Sequence, residues 1–247
     1  MTGQAPSTPT TVAYGSTFVT PANTFSRNGY VFAGWHDGAA TYAPGSTYPT
    51  SGTVSAEVNL FATWTPTCAM GGACIVGETG PGGGVVFYAA GSTFASPGSA
   101  CNTAGVGGIS TCKYLEAAPS DQSSGVAWCS NTTSALGTTG LAIGTGMANT
   151  TTAADTTCTT GAIQIAADYT TNYNNNYKAD WHLPSRDEWR QLYIQRATVG
   201  GFLTDDYWSS SESSASSAWF QRFSDSKQYS RFKTYNTHGV RPVRAFG

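Results

Sequence analysis

Three blocks near the end of the chain decide the fold: Tyr207-Trp-Ser-Ser-Ser-Glu212, Ala218-Trp219 and Val240-Arg-Pro-Val-Arg-Ala-Phe246. Their tryptophans, valines and paired arginines are typical of a packed scaffold. The polar and aromatic residues between the blocks follow no helical stripe. The blocks therefore predict buried structure, and the residues between them predict an exposed surface.

The candidate ligand-binding residues are small polar, aromatic or arginine side chains. This mixture is typical of a binding face, because aromatic rings supply rigid contact area while small polar groups adapt their hydrogen bonds. A solvated loop is the alternative, which composition alone leaves open. The sixteen candidates are Ser213, Ser214, Ser216, Ser217, Phe220, Arg222, Ser224, Asp225, Tyr229, Ser230, Arg231, Phe232, Thr234, Tyr235, Asn236 and Thr237.

Among these candidates, aromatic residues bury the most area for each rotamer that is fixed, so they are the expected anchors of a ligand. Arg222 and Arg231 are expected to add directional polar or cation-π contacts. The predicted aromatic anchors are Phe220, Tyr229, Phe232 and Tyr235.

The residues that separate the candidates form a framework: Trp208-Ser-Ser-Ser-Glu212, Ala218-Trp219, Gln221, Phe223, Gln228, Lys233 and 240–246. This framework resembles the variable region, about 207–247 here, of proteins diversified by diversity-generating retroelements. In that family, copying errors at template adenines vary Asn-type codons and leave other positions fixed. Such codons cannot become Lys, Glu, Gln, Met or Trp, and all sixteen candidates obey this restriction. The restriction is supporting evidence, and the framework carries the resemblance.

The chain has 247 residues, enough for one large or two modest domains. Charged residues make up only 11% and the formal net charge is -2, which gives no electrostatic reason to expect a nucleic-acid partner. Abundant Gly, Ser, Thr and aromatic residues are typical of a loop-rich and strand-rich extracellular protein.

The six cysteines fall into sequence neighbours and form no CxxC or CxxH spacing. A disulfide framework in an oxidising compartment is therefore expected rather than a zinc site, and no metal-binding residue is assigned. Several connectivities are open, and we favour the sequential one. It pairs Cys68 with Cys74, Cys101 with Cys112, and Cys129 with Cys158.

Residues 1–66 lack cysteine and contain short alternating runs, Tyr30–Trp35 and Val58–Trp64, with turn signals such as Asn28-Gly29. They predict a small β-rich module in which Trp35 and Trp64 belong to the core. Phe25-Ser-Arg-Asn-Gly-Tyr-Val-Phe-Ala-Gly-Trp35 and Leu60-Phe-Ala-Thr-Trp64 resemble the Listeria-Bacteroides repeat of bacterial surface proteins. That resemblance implies a truncated β-grasp-like display module.

Residues 67–247 have a different pattern. The turn Gly80-Pro-Gly-Gly-Gly84 leads into a predicted buried strand, 85–88, an order that does not suit a phosphate-binding loop. Helical spacing predicts a helix over 161–169, and a capping box predicts a second helix after Ser185. Residues 136–160 are expected to form a long ordered loop.

Several blocks, including Tyr114-Leu-Glu-Ala-Ala-Pro119, Asp180-Trp-His-Leu-Pro184 and Val240-Arg-Pro-Val-Arg244, resemble the C-terminal domain of Legionella collagen-like adhesins over about 75–247. The resemblance implies an α+β, C-type-lectin fold of the formylglycine-generating-enzyme subgroup, with a small twisted sheet, two helices and much irregular structure. It also implies that Trp208, Trp219 and the segment 241–244 are buried beneath the variable surface.

An enzyme is not expected. The three histidines, His36, His182 and His238, lie in different segments, and no GxSxG or HExxH motif occurs. The related oxidases use cysteines late in the domain, whereas no cysteine follows Cys158 here. No cofactor is therefore expected, although calcium stays open as a structural ion.

The expected partner is an extracellular protein or glycan. Sugar-binding motifs of C-type lectins are absent from the sequence. A fixed-specificity glycan-binding adhesin is the alternative, for which Arg222, Lys227, Arg231 and Lys233 offer a modest basic patch. We find no signal peptide at Met1 and no apolar run that could span a bilayer, so direct membrane insertion is not expected. We expect display outside the cell through an upstream extension.

Overall fold

The computed structural model describes residues 12–102, 111–154 and 157–247. It divides into two compact units, Met1–Ala73 and Cys74–Gly247. The sequence places the domain boundary at residue 66, before the point where the two units divide.

The described part of the first unit consists of short strands and one 3-10 turn. The strands are β1 Phe18–Val19, β2 Tyr30–His36, β3 Thr41–Tyr42, β4 Thr47–Tyr48 and β5 Phe61–Pro66, and the 3-10 turn is Cys68–Met70. They form a three-stranded antiparallel sheet in the order β3-β2-β5 and a β1-β4 pair. Trp35 is buried, as predicted, and its indole N–H donates to the Pro21 carbonyl oxygen at 2.8 Å, while Trp64 is half-buried. The relationship to a surface repeat and to a β-grasp fold stays a prediction.

The second unit contains ten strands and four α-helices within its described residues. The strands are β6 Val85–Ala89, β7 Tyr114–Ala117, β8 Ser123–Val126, β9 Thr171–Tyr173, β10 Asn176–Lys178, β11 Asp206–Ser214, β12 Ser217–Arg222, β13 Gln228–Phe232, β14 His238–Val240 and β15 Val243–Phe246. The helices are α1 Gly146–Ala153, α2 Ala162–Asp168, α3 Arg186–Ile194 and α4 Arg196–Val199.

The strands of this unit form mixed sheets. A five-stranded sheet has the order β13-β12-β11-β14-β8, in which only β11 and β14 are parallel. A three-stranded antiparallel sheet has the order β15-β7-β6, and β9 pairs with β10. The unit is therefore mostly β with few helices, an α+β arrangement. Its assignment to the C-type-lectin fold stays a prediction.

Helices α2 and α3 lie where the sequence predicts them, over 161–169 and after Ser185. Helix α3 begins after Ser185, whose hydroxyl accepts from the Glu188 amide, while the Glu188 side chain accepts from the Ser185 amide. This capping box satisfies amides that the first helical turn leaves unpaired. The apolar face of helix α3 buries Trp189 and Leu192.

The prediction that 136–160 is entirely a loop, and with it the expectation of two helices, is wrong. Helix α1 lies inside that stretch, and its sequence, Gly-Met-Ala-Asn-Thr-Thr-Thr-Ala, is rich in the poor helix formers Gly, Asn and Thr and has no apolar stripe. Tertiary contacts stabilise it instead, since Asn149 and Thr150 are buried and the Asn149 amide nitrogen donates to the Gly140 carbonyl oxygen at 2.7 Å. The sequence likewise does not predict the short helix α4.

Disulfides cross-link the chain as the sequence predicts. Cys101 pairs with Cys112 and Cys129 pairs with Cys158, each with a Cα–Cα distance of 4.9 Å. The remaining two cysteines, Cys68 and Cys74, are disulfide-bonded as well. Such bonds form in a non-reducing environment and are typical of extracellular proteins.

Two apolar clusters form the core of the second unit. One joins α2 to the five-stranded sheet through Trp128, Ile163, Trp208 and Phe220. The other joins α3 to the three-stranded sheet through Phe87, Leu115, Trp189 and Tyr207. Both clusters lie against β11, which is buried from Tyr207 to Glu212 and so fixes the position of the strands that follow it.

Candidate functional site

The candidate surface is built on three consecutive antiparallel strands, β11, β12 and β13. Trp208 lies opposite Phe220, which lies opposite Tyr229. Because β11 is buried and β13 is the outermost strand, exposure increases across the sheet. The sixteen candidate residues lie at the end of β11, in the turn that follows it, on β12 and β13, and in the segments on either side of β13.

The structure leaves most of the candidates accessible. Ten are exposed: Ser213, Ser214, Ser224, Ser230, Arg231, Phe232, Thr234, Tyr235, Asn236 and Thr237. Five are half-buried: Ser216, Ser217, Arg222, Asp225 and Tyr229. Among the aromatic members, Phe232 is 66% exposed and Tyr235 is 41% exposed.

The prediction that Phe220 is an accessible anchor is wrong. Its side chain is 1% exposed and belongs to the core cluster that contains Trp208 and Ala218. Strand β12 lies between β11 and β13, and Phe220 is buried within it, whereas the candidates at its two ends, Ser217 and Arg222, are half-buried. Phe220 can contribute only the floor of a surface depression.

Trp219 also differs from the prediction that it is buried. It is half-buried, and the guanidinium of Arg186 lies 5.3 Å from its ring centroid. Strand alternation places Trp219 on the opposite face from Phe220, towards α3. The framework residue is therefore covered by a helix side chain rather than by the central core.

The predicted aromatic anchors do not share one face. In β13, Tyr229 and Arg231 lie on the face of Phe220, whereas Ser230 and Phe232 lie on the other face, because side chains alternate along a strand. Tyr235 joins the first face, where the Arg231 guanidinium lies 4.9 Å from its ring centroid. The candidate surface thus has two sides that meet at the edge strand β13.

A shallow depression of about 180 Å³ opens on the first face, lined by Phe220, Arg222, Tyr229, Ser230 and Arg231. The Arg222 Nε donates to Asp206 Oδ1 at 3.1 Å, and this hydrogen bond raises the pKa of Arg222. The Tyr229 hydroxyl donates to Asp225 Oδ2 at 2.7 Å, which lowers the pKa of Asp225 and raises that of Tyr229. Arg231 forms no ion pair with any residue in the described ranges, so its charge faces the depression uncompensated.

His238 lies beneath this depression, although the sequence pattern does not place it among the candidates. Its ring is buried, 4.2 Å from the Phe220 ring and 4.5 Å from the Trp208 ring between centroids. Neither ring nitrogen has a hydrogen-bond partner within the described residues. Burial, together with the charges of Arg231 and Arg222, lowers the pKa of His238 to about 4. At neutral pH the ring is therefore uncharged and acts as part of the aromatic floor.

A buried ion pair connects strand β11 to the residue that directly follows β13. The Lys233 ammonium donates to Glu212 Oε1 at 2.6 Å and to the carbonyl oxygens of Ser134 and Ala215 at 2.9 and 2.7 Å. Glu212 also accepts from the amides of Leu136 and Thr138. Burial raises the pKa of Glu212, but the hydrogen bond from Lys233 and the two amides outweigh burial, so the pKa lies below its ordinary value. We name these two residues the Glu212–Lys233 clasp.

The segment 241–244 is buried as predicted, and its two arginines are fully paired. Arg241 bonds Asp121 and donates to the Ala118 carbonyl oxygen at 2.8 Å. Arg244 donates to Glu116 Oε1 at 2.9 Å and bonds Asp180. These buried bonds connect the end of the chain to strands and loops more than sixty residues away.

Glu116 explains why the glycine turn 80–84 has its composition. Its carboxylate accepts from the amides of Gly82 and Gly84, each at 3.0 Å. A Cβ at residue 82 would lie 2.7 Å from Glu116 Oε1, so a side chain there is sterically excluded. The glycines of this turn therefore let its amides approach and bind the buried Glu116 carboxylate.

These features define a class of protein: a disulfide-linked, β-rich domain whose buried polar framework supports an exposed surface of aromatic, arginine and small polar residues. A family model described as the Lcl C-terminal domain matches residues 118–244, and the chain belongs to this family. The family is associated with adhesin-like binding proteins. No curated protein matches the chain.

Within the described residues, no helix is long and apolar enough to cross a membrane.

Proposed function

We propose that the protein is a non-enzymatic binding protein displayed outside the cell, and that a retroelement diversifies its C-terminal surface for extracellular protein or glycan ligands. The observation that carries the proposal is the division of residues 207–247 into two sets. Framework residues are buried or half-buried, with the Glu212–Lys233 clasp and Arg241 bonded to named partners, whereas fifteen of the sixteen candidates are exposed or half-buried. Most candidate side chains can therefore change without leaving a buried polar group unsatisfied.

The placement of His182 and His238 supports a binding role rather than catalysis. His238 is buried among aromatic rings, and His182 is buried with its Nε2 3.4 Å from Glu188 Oε2. A general base must reach the substrate proton, directly or through one water. Neither ring is placed to do so from the candidate surface.

The alternative is a glycan-binding adhesin of fixed specificity that uses a basic patch. Two of the four predicted cations are not available to bind a glycan. Lys233 is buried against Glu212, and Arg222 is paired with Asp206. Lys227 and Arg231 stay exposed. A sulfated or carboxylated glycan needs clustered charge, so this placement favours the first proposal.

Deep sequencing of codons 205–247 across a population of source cells tests the proposal. We expect substitutions at the exposed candidates, matching adenines in a nearby template copy, and none at the positions of Glu212, Lys233 and Arg241. Position 220 is expected to vary less than position 232, because only the former is in the core. A uniform sequence without a template copy would leave the fixed adhesin as the better account.

A further inference from the structure

Strand β13 is the outermost strand of the five-stranded sheet, so one side of its backbone faces outwards. It pairs with β12 in a regular antiparallel register, with Trp219 opposite Ser230 and no bulge. Edge strands usually carry a proline, a bulge or charged side chains, especially lysine, that prevent further pairing. The sequence Gln-Tyr-Ser-Arg-Phe of β13 contains no proline or lysine, and Arg231 is its one charged residue.

The hydrogen-bond register shows which backbone groups point outwards. The Arg222 amide donates to the Lys227 carbonyl oxygen, and the Lys233 amide donates to the Ser216 carbonyl oxygen, both at 2.9 Å. Since hydrogen-bonded and non-hydrogen-bonded pairs alternate in an antiparallel ladder, Tyr229 and Arg231 direct their backbone groups to β12. The backbone groups of Gln228, Ser230 and Phe232 therefore point to the open side.

One of these outward groups is already used. The Phe232 carbonyl oxygen accepts from the Tyr235 amide at 2.9 Å. The N–H and the carbonyl of Ser230 bond no other backbone or side-chain group in the described part of the chain. Ser230 is also exposed, so its backbone is accessible at the centre of the edge.

We propose that the open edge of β13 binds an extended acidic peptide segment of a partner protein as an additional β-strand. Main-chain hydrogen bonds supply affinity in this mode of recognition, and alternate side chains supply specificity. The inference rests on the proposed binding function and names its partner class. Diversification of the β13 side chains leaves the N–H and the carbonyl of Ser230 unchanged, so the main-chain part of this recognition persists while the side chains, Arg231 here, set which peptide is preferred.

Charge and geometry favour an acidic peptide over the other occupants. Arg231 has no carboxylate partner in the described segments, and a residue of an added strand directly across from it would bring a carboxylate within contact distance. A second copy of this chain would instead bring two unpaired Arg231 side chains and two Lys227 side chains to one interface. A glycan lacks the regular two-residue spacing of donors and acceptors that the outward groups of β13 present.

The test compares Ser230→Pro with Ser230→Ala. Proline removes the outward N–H without removing a bond to β12, and proline is tolerated at sheet edges. Alanine removes only the hydroxyl and sets the reference. Linear peptides are first selected on the wild-type protein from a random display library, and their affinities for both variants are then measured by calorimetry. We expect enriched peptides with alternating acidic residues that bind Ser230→Pro about tenfold more weakly than Ser230→Ala.

Amide hydrogen exchange gives a second readout that needs no variant. The Ser230 amide should exchange rapidly in the free protein and become protected in the peptide complex. Far-UV circular dichroism checks that Ser230→Pro is folded. If it is not, the exchange result and Arg231→Glu decide the question, since charge reversal should select basic peptides instead.

Other results would overturn the peptide proposal. Peptides that lose affinity for Tyr229→Ala and Arg231→Ala but bind Ser230→Pro normally, without protecting the Ser230 amide, would leave the side-chain surface as the binding site and exclude the edge. Failure to enrich any peptide would also exclude it, while population sequencing would decide the wider function separately. Concentration-dependent self-association abolished by Ser230→Pro would identify a second copy as the occupant.

Discussion

The framework and the exposed surface of this protein both lie within residues 207–247 but obey opposite physical constraints. Glu212 and Lys233 are buried, bonded to each other and to backbone groups. Ser213 and Thr234, their immediate neighbours, are exposed. A buried polar residue cannot change alone without leaving its partner unsatisfied, whereas an exposed one can. The comparison shows how a surface can alter its chemistry while its fold stays fixed.

The largest difference in stability between the two regions is expected when one phenylalanine of each is replaced. Phe220 is in the core and Phe232 is 66% exposed. Phe220→Ser removes a packed ring and buries a hydroxyl, so we expect a loss of at least about 3 kcal/mol in the free energy of unfolding. Phe232→Ser should change it by less than about 0.5 kcal/mol. Urea denaturation of both variants measures the difference.

Equal stability of the two phenylalanine variants would contradict the division between core and surface at this position. It would also remove the reason to expect restricted variation at residue 220. The two experiments are independent, because denaturation measures one protein and sequencing measures a population.

Two lysines provide the next comparison. Lys233 is buried in the clasp and Lys227 is exposed. Lys233→Met leaves the Glu212 carboxylate buried without its cation, and breaking a buried pair in this way costs about 3 to 5 kcal/mol. Lys227→Met, which removes the same charge at the surface, should cost less than about 0.5 kcal/mol. Thermal unfolding followed by circular dichroism tests the pair.

The double variant Glu212→Gln with Lys233→Met separates the cost of a buried unpaired charge from the value of the pair itself. We expect it to be more stable than Lys233→Met alone, because no net charge is then buried. A double variant less stable than the single one would show that the clasp acts mainly through its hydrogen bonds to backbone.

His238 lies between the core and the exposed surface, and its lowered pKa makes the stability of the protein depend on pH. Its pKa is lowered to about 4 in the folded protein, against 6.5 ordinarily, so the unfolded chain takes up the proton first as the pH falls. Stability is therefore lost between pH 6.5 and about 4, by about 3 kcal/mol from this residue. His238→Phe should lose correspondingly less over that range in urea titrations.

The neighbours of His238 are common to both proteins in this comparison. Asp206 Oδ2 lies 3.7 Å from Nδ1, Arg222 and Arg231 contribute their charges, and the Tyr235 ring lies 5.1 Å away. The effects of these neighbours largely cancel when the stability curves of the wild type and His238→Phe are subtracted. Parallel stability curves for the two proteins would show that the ring does not resist protonation.

The sequence predicts those parts of the molecule that local chemistry specifies. The capping box at Ser185 identifies helix α3, and the spacing of neighbouring cysteines indicates the disulfides that the structure contains. The sequence does not predict helix α1, because the helix is stabilised by buried contacts of Asn149 and Thr150 rather than by the helix propensity of its residues. Local signals do not report such tertiary contacts.

The candidate site shows the same limit. Composition between the framework blocks identifies a surface, and fifteen of its sixteen residues are at least partly accessible. It does not separate Phe220 from Phe232, because burial depends on which strand lies at the edge of the sheet. Nor does it identify His238, whose place beneath the depression follows from the parallel pairing of β14 with β11.

The smallest expected effect concerns a hydrogen bond within the exposed surface itself. The Tyr229 hydroxyl donates to Asp225 and is the main cause of the lowered pKa of that carboxyl. Tyr229→Phe should therefore raise the pKa of Asp225 towards its ordinary value, which carbon-13 NMR titration can follow, while the melting temperature changes little. Thr237→Ala, an exposed change elsewhere on the surface, is the control. An unchanged pKa in Tyr229→Phe would mean that the bond does not persist in solution, and Tyr229 would then be free to turn its hydroxyl to a ligand.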